Sequence, residues 1–174
     1  MTAVRRATPA DAEELVRLRK IMLDAMRPSD DVEWQPYTAK TLRSHLADEA
    51  GPLAVFVVDA PDAQDASDAA DTPDPLGTPA VAPGTLAACA TGTINLSLGG
   101  PGNPEGTSGH VFNVCTDPAY RRRGYSRACM DALLAWFGER DIRRIDLHAS
   151  PEGEPLYTSL GFVRTPAPAM RLTL

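Results

Sequence analysis

The chain has 174 residues, of which 43% are hydrophobic and 23% charged, and its formal net charge is −6 at pH 7. This length allows one sizeable core, so we expect a single domain over residues 1–174. The longest apolar run, 53–58, is too short to cross a membrane. The first residues lack the apolar segment of a signal peptide, and the three cysteines suit a reducing compartment, so we expect a cytoplasmic protein.

The net negative charge lies in one insert, residues 59–84, which is rich in Ala, Asp and Pro. Six aspartates occur there at every third position, without any lysine or arginine, and the rest of the chain holds 17 acidic and 17 basic residues. Such a composition buries too little apolar surface to offset its ordering entropy, so we predict a disordered insert. A cation site is the alternative, and the five prolines disfavour it.

The first half of the chain predicts two helices and three strands. Residues 3–6 are expected to form a strand, and Thr8-Pro9 is typical of a helix start, with Thr8 as N-cap and Pro9 at the first helical position. One face of that helix carries Leu15, Leu18, Met22 and Met26. A weaker helix is predicted over 36–47, strands over 53–58 and 85–96, and a loop over 99–109.

The second half predicts a strand over 111–115 and a helix from Tyr125 to Phe137, whose apolar residues recur every three or four positions. Alternating residues over 144–149 indicate another strand with one buried face. A helix is expected to start at Ser150 and to end at Gly161, followed by strands over 162–164 and 169–174. The predicted order is β-α-α-β-β-β-α-β-α-β-β, which is a mixed α/β domain.

The segment 116–127 connects the 111–115 strand to the next helix through a basic turn that contains Gly124. Backbone N–H groups at a helix N-terminus lack intrahelical partners and favour an anion. Gly124 removes a side chain from the approach, Ser126 is small, and nearby arginines add positive charge. We therefore predict a phosphate site. A solvated basic face is the alternative, and a nucleic-acid surface is less consistent because no basic stripe continues elsewhere.

Two motifs carry a resemblance to a known family. The first is Arg121-Arg122-Arg123-Gly124-Tyr125-Ser126, and the second is Leu156-Tyr157-Thr158-Ser159-Leu160-Gly161-Phe162. In this order, with one helix and one strand between them, they resemble the acetyl-CoA motif and the Leu-Tyr-x-x-Leu-Gly-Phe segment of GCN5-related N-acetyltransferases (GNAT). The resemblance covers nearly the whole chain outside the insert. It implies a mostly antiparallel central sheet flanked by helices, with strands splayed at the acetyl-CoA site.

The resemblance also implies the activity and the site. It implies transfer of acetyl from acetyl-CoA to a primary amine by direct attack in a ternary complex, without a metal. Tyr157 is expected to act as general acid on the departing thiolate, although simple packing in the core is the alternative. The residues expected to bind the cofactor are Val114, Cys115, Thr116, Arg121, Arg122, Arg123, Gly124, Tyr125, Ser126, Arg127, Ser150 and Tyr157.

Other roles stay open at the sequence level. Glu33 is a candidate general base; Asp30, Asp31, His110, Asn113 and a water chain are the alternatives. His148, on the polar side of its strand, and the Cys115 thiol are interpreted as structural, since no activating pattern accompanies the thiol. The acceptor is a small-molecule or protein amine, and a homodimer is possible in this family. The alternative functions are a non-catalytic acyl-CoA sensor and a toxin-type enzyme acting on charged tRNA, which the neutral core disfavours.

Overall fold

A computed structural model describes residues 3–61, 84–166 and 169–172. The strands in these residues are β1 (Arg5–Arg6), β2 (Leu53–Asp59), β3 (Leu86–Leu96), β4 (Thr107–Thr116) and β5 (Ile145–Leu147). The helices are α1 (Ala12–Met26), α2 (Trp34–Leu46), α3 (Tyr125–Gly138) and α4 (Glu154–Ser159). Short 3₁₀ turns at Pro9–Asp11 and Pro118–Tyr120 precede α1 and α3.

The five strands form one sheet in the order β1-β2-β3-β4-β5. Neighbouring strands pair antiparallel except β4 and β5, which pair parallel. Two apolar clusters cover the two faces of this sheet. Leu15 and Leu18 of α1 pack with Val55 and Cys89 on one face, while Leu133 and Phe137 of α3 pack on the other. The predicted mixed, mostly antiparallel α/β fold is confirmed.

A β-bulge interrupts β4 and changes which face its side chains occupy. The pairing of β4 with β3 shifts by one residue between Cys115 and Phe112, and Asn113 within the shift has a φ of 53°. Before the shift, a Cβ on Gly109 would lie 2.8 Å from the Phe137 ring, so Gly109 faces α3. After it, Cys115 packs in the cluster of α1. An extra residue on one strand has this effect because side chains alternate with period two.

β4 and β5 separate beyond the middle of β4. Their last paired residues are Val111 and Leu147, and β4 continues unpaired with β5 to Thr116. The gap therefore opens beside the bulge and widens toward the basic turn. This is the splayed arrangement that the sequence resemblance predicts.

The predicted C-terminal strands are the main correction. The described residues after α4 form no strand, neither over 162–164 nor over 169–172. Gly161 turns the chain with a φ of +93°, and Arg164 then makes two hydrogen bonds to Glu154 of α4 at 2.6 and 2.8 Å. Val163 and Met170 are 85% and 95% exposed, so strand formation here would gain no burial. The last helix also begins at Glu154, four residues after the predicted start.

Most of the acidic insert, 62–83, lies outside the described residues. Its two ends are held together by the β2–β3 hairpin, where Asp59 pairs with Leu86 and the Ala60 N–H donates to the Thr85 carbonyl at 2.9 Å. The predicted helices and strands before α4 are present, but β4 begins at Thr107, inside the stretch expected to be a loop. The insert therefore enters and leaves the fold at one place, the β2–β3 end of the sheet.

Candidate active site

The basic turn between β4 and α3 has an unusual backbone. Arg122 and Gly124 both have positive φ, 65° and 80°, and Gly124 is the N-cap of α3. A Cβ built on Gly124 would meet no atom within 4 Å, so glycine is required here for its backbone conformation and not for space within the fold. The turn leads directly into the first N–H groups of α3. Because these N–H groups have no intrahelical acceptors, the turn has the geometry of an anion-binding site.

The arginines of this turn differ in what they contact. Arg121 and Arg122 are exposed, and the guanidinium of Arg123 lies 5.7 Å from the centre of the Tyr120 ring, a cation–π distance. Arg127, in the first turn of α3, donates a hydrogen bond to the hydroxyl of Ser159 in α4. The structure therefore leaves Arg121 and Arg122 extended into solvent, whereas Arg127 joins α3 to α4.

A hydrogen-bond network anchors the turn to α1. Asp117 precedes the turn, and its carboxylate accepts from the Ala119 N–H at 3.0 Å and from Arg17 of α1 at 2.5 Å. Arg17 also donates to the Leu86 carbonyl at 2.8 Å and pairs with Glu14. Burial lowers the pKa of Arg17, but its hydrogen bonds to Glu14 and Asp117 outweigh this and raise the pKa overall. The guanidinium thus stays charged and fixes where β4 ends.

The sequence reasoning missed Arg17. An Asp two positions before a backbone donor is a recognisable capping pattern, so the role of Asp117 could have been found. Arg17 lies 100 positions from Asp117 in sequence, and its helix offers no local signal of that contact.

The last residues of β4 place their side chains on both faces of the sheet. The Thr116 and Ser126 hydroxyls lie 2.5 Å apart, so one donates to the other and joins β4 to α3. Val114 packs on the α3 cluster, while Cys115 is buried on the α1 side. Burial, with a further contribution from Asp117, raises the pKa of the Cys115 thiol to about 11, although Arg121 and Arg17 oppose the shift. Cys115 is therefore a protonated packing residue at neutral pH, which matches its structural interpretation.

Tyr157 lies in α4, half-buried, with its ring edge-on to Phe162 at a centroid distance of 6.1 Å. Burial raises the pKa of its hydroxyl above 10. The side chain lines a groove of about 1130 Å³ that passes along β5, α4 and the segment after it, with Leu147 and His148 also in its wall. None of the basic-turn residues lines this groove. It follows the outer edge of β5 rather than the gap between β4 and β5.

The remaining candidates are spread over the molecule. The hydroxyl of Ser150 accepts from the Gly153 N–H at 3.2 Å, so it stabilises the turn before α4. Glu33 is exposed directly before α2, and a groove of about 700 Å³ between α1 and α2 includes its neighbours Val32 and Gln35. Asn113 is buried in the bulge, where its amide nitrogen lies 3.7 Å from the Cys89 sulfur. Its amide oxygen has no hydrogen-bond partner among the described residues. The structure therefore does not bring Glu33 and Asn113 into one described contact.

Within residues 3–61, 84–166 and 169–172, no group of three or more His, Cys, Asp or Glu side chains is arranged to hold a metal ion. In the same ranges no helix is long and apolar enough to cross a membrane.

Comparison with models of protein families identifies the family of this chain. The model of the acetyltransferase (GNAT) family matches residues 19–162, from the middle of α1 to the residue that packs on Tyr157. This range contains the basic turn, the bulge and both motifs. The chain belongs to the GNAT family.

Solved GNAT structures have the same fold. A predicted acetyltransferase from Clostridium acetobutylicum, solved with acetyl-CoA, aligns over 99% of this chain and 96% of its own, with a TM-score of 0.76 and 22% identity. A GCN5-related N-acetyltransferase from Ralstonia eutropha aligns over 99% of both chains with a TM-score of 0.73 and 23% identity. At these identities the likeness shows the shared fold.

Among curated proteins, histone acetyltransferase TAP1 of Glycine max is 32% identical over 42% of this chain. The match covers 38% of the relative, so this GNAT chain corresponds to well under half the length of that protein.

Proposed function

We propose that the protein transfers the acetyl group of acetyl-CoA to a primary amine by direct attack in a ternary complex. The observation that carries the proposal is the position of the left-handed Gly124 turn. It places the N-terminus of α3 at the end of β4, where β4 and β5 have separated. An anion site at one end of an open gap between strands suits a long ligand with a phosphate at one end and a reactive thioester at the other.

The residues of the turn and of β4 have separate roles in this proposal. The backbone of 121–126 receives the pyrophosphate, with Arg121 and Arg122 adding charge-assisted contacts. The main chain of Val114, Cys115 and Thr116 pairs with the extended arm of the coenzyme, because this part of β4 has no pairing with β5. A backbone N–H at the bulge polarises the acetyl carbonyl, and such a fixed donor stabilises the developing oxyanion.

Tyr157 supplies the proton for the departing sulfur. Burial raises the pKa of its hydroxyl, so the phenol is a proton donor at neutral pH. Among the candidate bases, Glu33 has the support of its position beside the α1–α2 groove, where its carboxylate is exposed. No metal is needed for either proton transfer.

The acceptor is proposed only as a primary amine on a small molecule or a protein. The histone acetyltransferase among the relatives supports the protein alternative, and mixed charges in the α1–α2 groove suit a zwitterionic amine equally well. We place the activity in the cytoplasm, which the three buried free thiols support. Association into a homodimer remains a prediction that size-exclusion chromatography with light scattering can test.

The test is a panel of amines mixed with acetyl-CoA while free thiol is measured. The panel holds lysine, phenethylamine, spermidine, glucosamine, an aminoglycoside and a peptide with a free N-terminus. We expect thiol release that depends on one class of amine, with an acetylated product of the matching mass. A thermal shift with acetyl-CoA measures binding separately. Absence of any shift at saturating acetyl-CoA contradicts the proposal.

The second candidate function is a non-catalytic acyl-CoA sensor. It needs only the basic turn and the open end of β4, which bind the coenzyme in both proposals. This alternative predicts a thermal shift with acetyl-CoA and no thiol release with any amine.

A further inference from the structure

Two of the three histidines of the chain, His110 and His148, lie together on one face of the sheet. Their rings meet edge-on at a centroid distance of 5.8 Å, and His110 stacks on Phe112 at 5.9 Å. His110 belongs to β4 and is half-buried, whereas His148 directly follows β5 and is exposed. The two rings in contact therefore extend from a half-buried position on β4 to a solvent-exposed position after β5.

The position of the pair relative to the gap follows from the strand register. His110 and Asp146 are register partners, and the next pair, Val111 with Leu147, is the last one before β4 and β5 separate. His110 thus lies one residue from the place where the gap opens. A reacting group held in that gap is next to His110 along the strand.

The pair lies on the face opposite to the coenzyme residues. Gly109 and Ile145 face α3, so their strand neighbours His110 and Asp146 face the α1 side. Tyr157 and Val114 pack on the α3 cluster instead. His148 and Tyr157 nevertheless line one groove, because that groove passes around the edge of β5. A proton acceptor and a proton donor therefore lie on opposite faces of the sheet.

We propose that His110 is the general base that takes the proton from the attacking amine, and that His148 passes this proton to solvent. The inference rests on the proposed acetyl transfer, and it assigns the base role to His110 in place of Glu33. The amine nitrogen bonds to the acetyl carbon and gives one proton to a ring nitrogen of His110. The C–S bond breaks, and the sulfur takes the proton of the Tyr157 hydroxyl. The proton on His110 then moves to His148 and from there to water, and water returns one proton to the Tyr157 oxygen.

The charged groups around the pair are compatible with this role. Thr93 of β3 and Asp146 of β5 are the register neighbours of His110, and Arg144 lies 3.8 Å from the Asp146 carboxylate. Asp146 attracts an ammonium group toward the face that carries His110, where the group loses one proton to water before the neutral amine attacks. The Phe112 ring offers an apolar surface beside it. Amines with an apolar or aromatic group next to the nitrogen are accordingly the expected acceptors.

The experiment compares His110→Gln, His148→Gln and the control His45→Gln, using the panel amine with the highest rate. His45 is an exposed residue of α2 and the third histidine of the chain. We expect His110→Gln to lower kcat/KM about 100-fold at pH 7, a typical contribution of general base catalysis. His148→Gln is expected to have a smaller effect, and His45→Gln none. The pH profiles of wild type and His110→Gln are compared as well, because loss of the base should remove the acidic limb of the profile.

A second variant separates chemistry from folding. His110→Ala should regain rate when free imidazole is added, whereas a structural role for His110 predicts no such rescue. An unchanged rate and pH profile in His110→Gln would overturn the inference while leaving acetyl transfer intact. Absence of thiol release with every amine in the wild type would instead overturn the proposed function, and the inference with it.

Discussion

Tyr157 is the residue whose substitution separates chemistry from binding most directly. Tyr157→Phe removes only the hydroxyl and keeps the packing of the ring on Phe162. We expect kcat to fall about 100-fold because the leaving sulfur loses its proton donor, with the KM for acetyl-CoA unchanged. Initial rates at varied acetyl-CoA provide both constants.

The sign of the pH effect follows from burial. The raised pKa keeps the Tyr157 phenol protonated up to pH 10, so any loss of rate through its ionisation begins above that pH. Tyr37→Phe is the matched control, since Tyr37 is 75% exposed on α2. Equal kcat in wild type and Tyr157→Phe would show that the hydroxyl takes no part in the reaction.

A substitution at Gly124 tests its backbone conformation alone, because a Cβ there would contact no other atom of the protein. Gly124→Ala introduces no steric contact, yet a side chain at φ +80° costs about 1–2 kcal/mol. We expect this loss in urea unfolding and, because the turn shifts to relieve the strain, a weaker thermal shift with acetyl-CoA. Gly138→Ala in α3 is the control: its Cβ also meets nothing, and helix propensity predicts a slight gain in stability. Identical acetyl-CoA binding in Gly124→Ala would contradict the role of the turn.

At the scale of elements, Arg17 couples α1 to the basic turn through Asp117 and the Leu86 carbonyl. Arg17→Met keeps the aliphatic stem and removes these hydrogen bonds, which are worth on the order of 1–2 kcal/mol. We expect the KM for acetyl-CoA to rise about tenfold, because 1.4 kcal/mol is a factor of ten.

Arg5→Met is the control for Arg17→Met. Arg5 also bridges two carboxylates, those of Asp11 and Asp59, and its side chain is 39% exposed against 33% for Arg17. It lies on β1, remote from the turn in the sheet order. The two variants should lose similar stability, while only Arg17→Met weakens acetyl-CoA binding. An equal effect of both on this KM would show a general loss of stability.

At the scale of the whole molecule, the acidic insert is predicted to be dispensable for the fold. Asp59 and Leu86 are paired, so the two ends of the insert are already held at hairpin distance. Replacing residues 62–83 by a four-residue Gly-Ser connection should leave circular dichroism and acetyl-CoA binding intact. The thermal midpoint should be equal or higher, since a shorter connection loses less entropy on closure. A variant that fails to bind acetyl-CoA would assign the insert a role in the site.

The sequence predicts the parts of this molecule that depend on local pattern. Hydrophobic periodicity predicts the apolar face of α3 and the apolar strand β2, and both are present. The backbone freedom of glycine predicts the turn at Gly124, which is present as well. The bulge at Asn113 could not be predicted, because a single inserted residue leaves no periodic signal. The strands predicted over 162–164 and 169–174 show the opposite error, since the described residues there, 162–164 and 169–172, form no strand. Their residues suit a strand, but Gly161 turns the chain and Arg164 bonds to Glu154 of α4 instead.

The bulge in β4 has a consequence for how such a chain can diversify. Residues before it, such as His110 and Phe112, and residues after it, such as Val114 and Thr116, project to opposite faces of the sheet. Under the proposed function, mutations of residues before the bulge change which amine is accepted. Mutations of residues after the bulge change the affinity for the coenzyme. Acceptor preference can therefore drift among descendants of this sequence while the shared acyl donor is retained, all within one ten-residue strand.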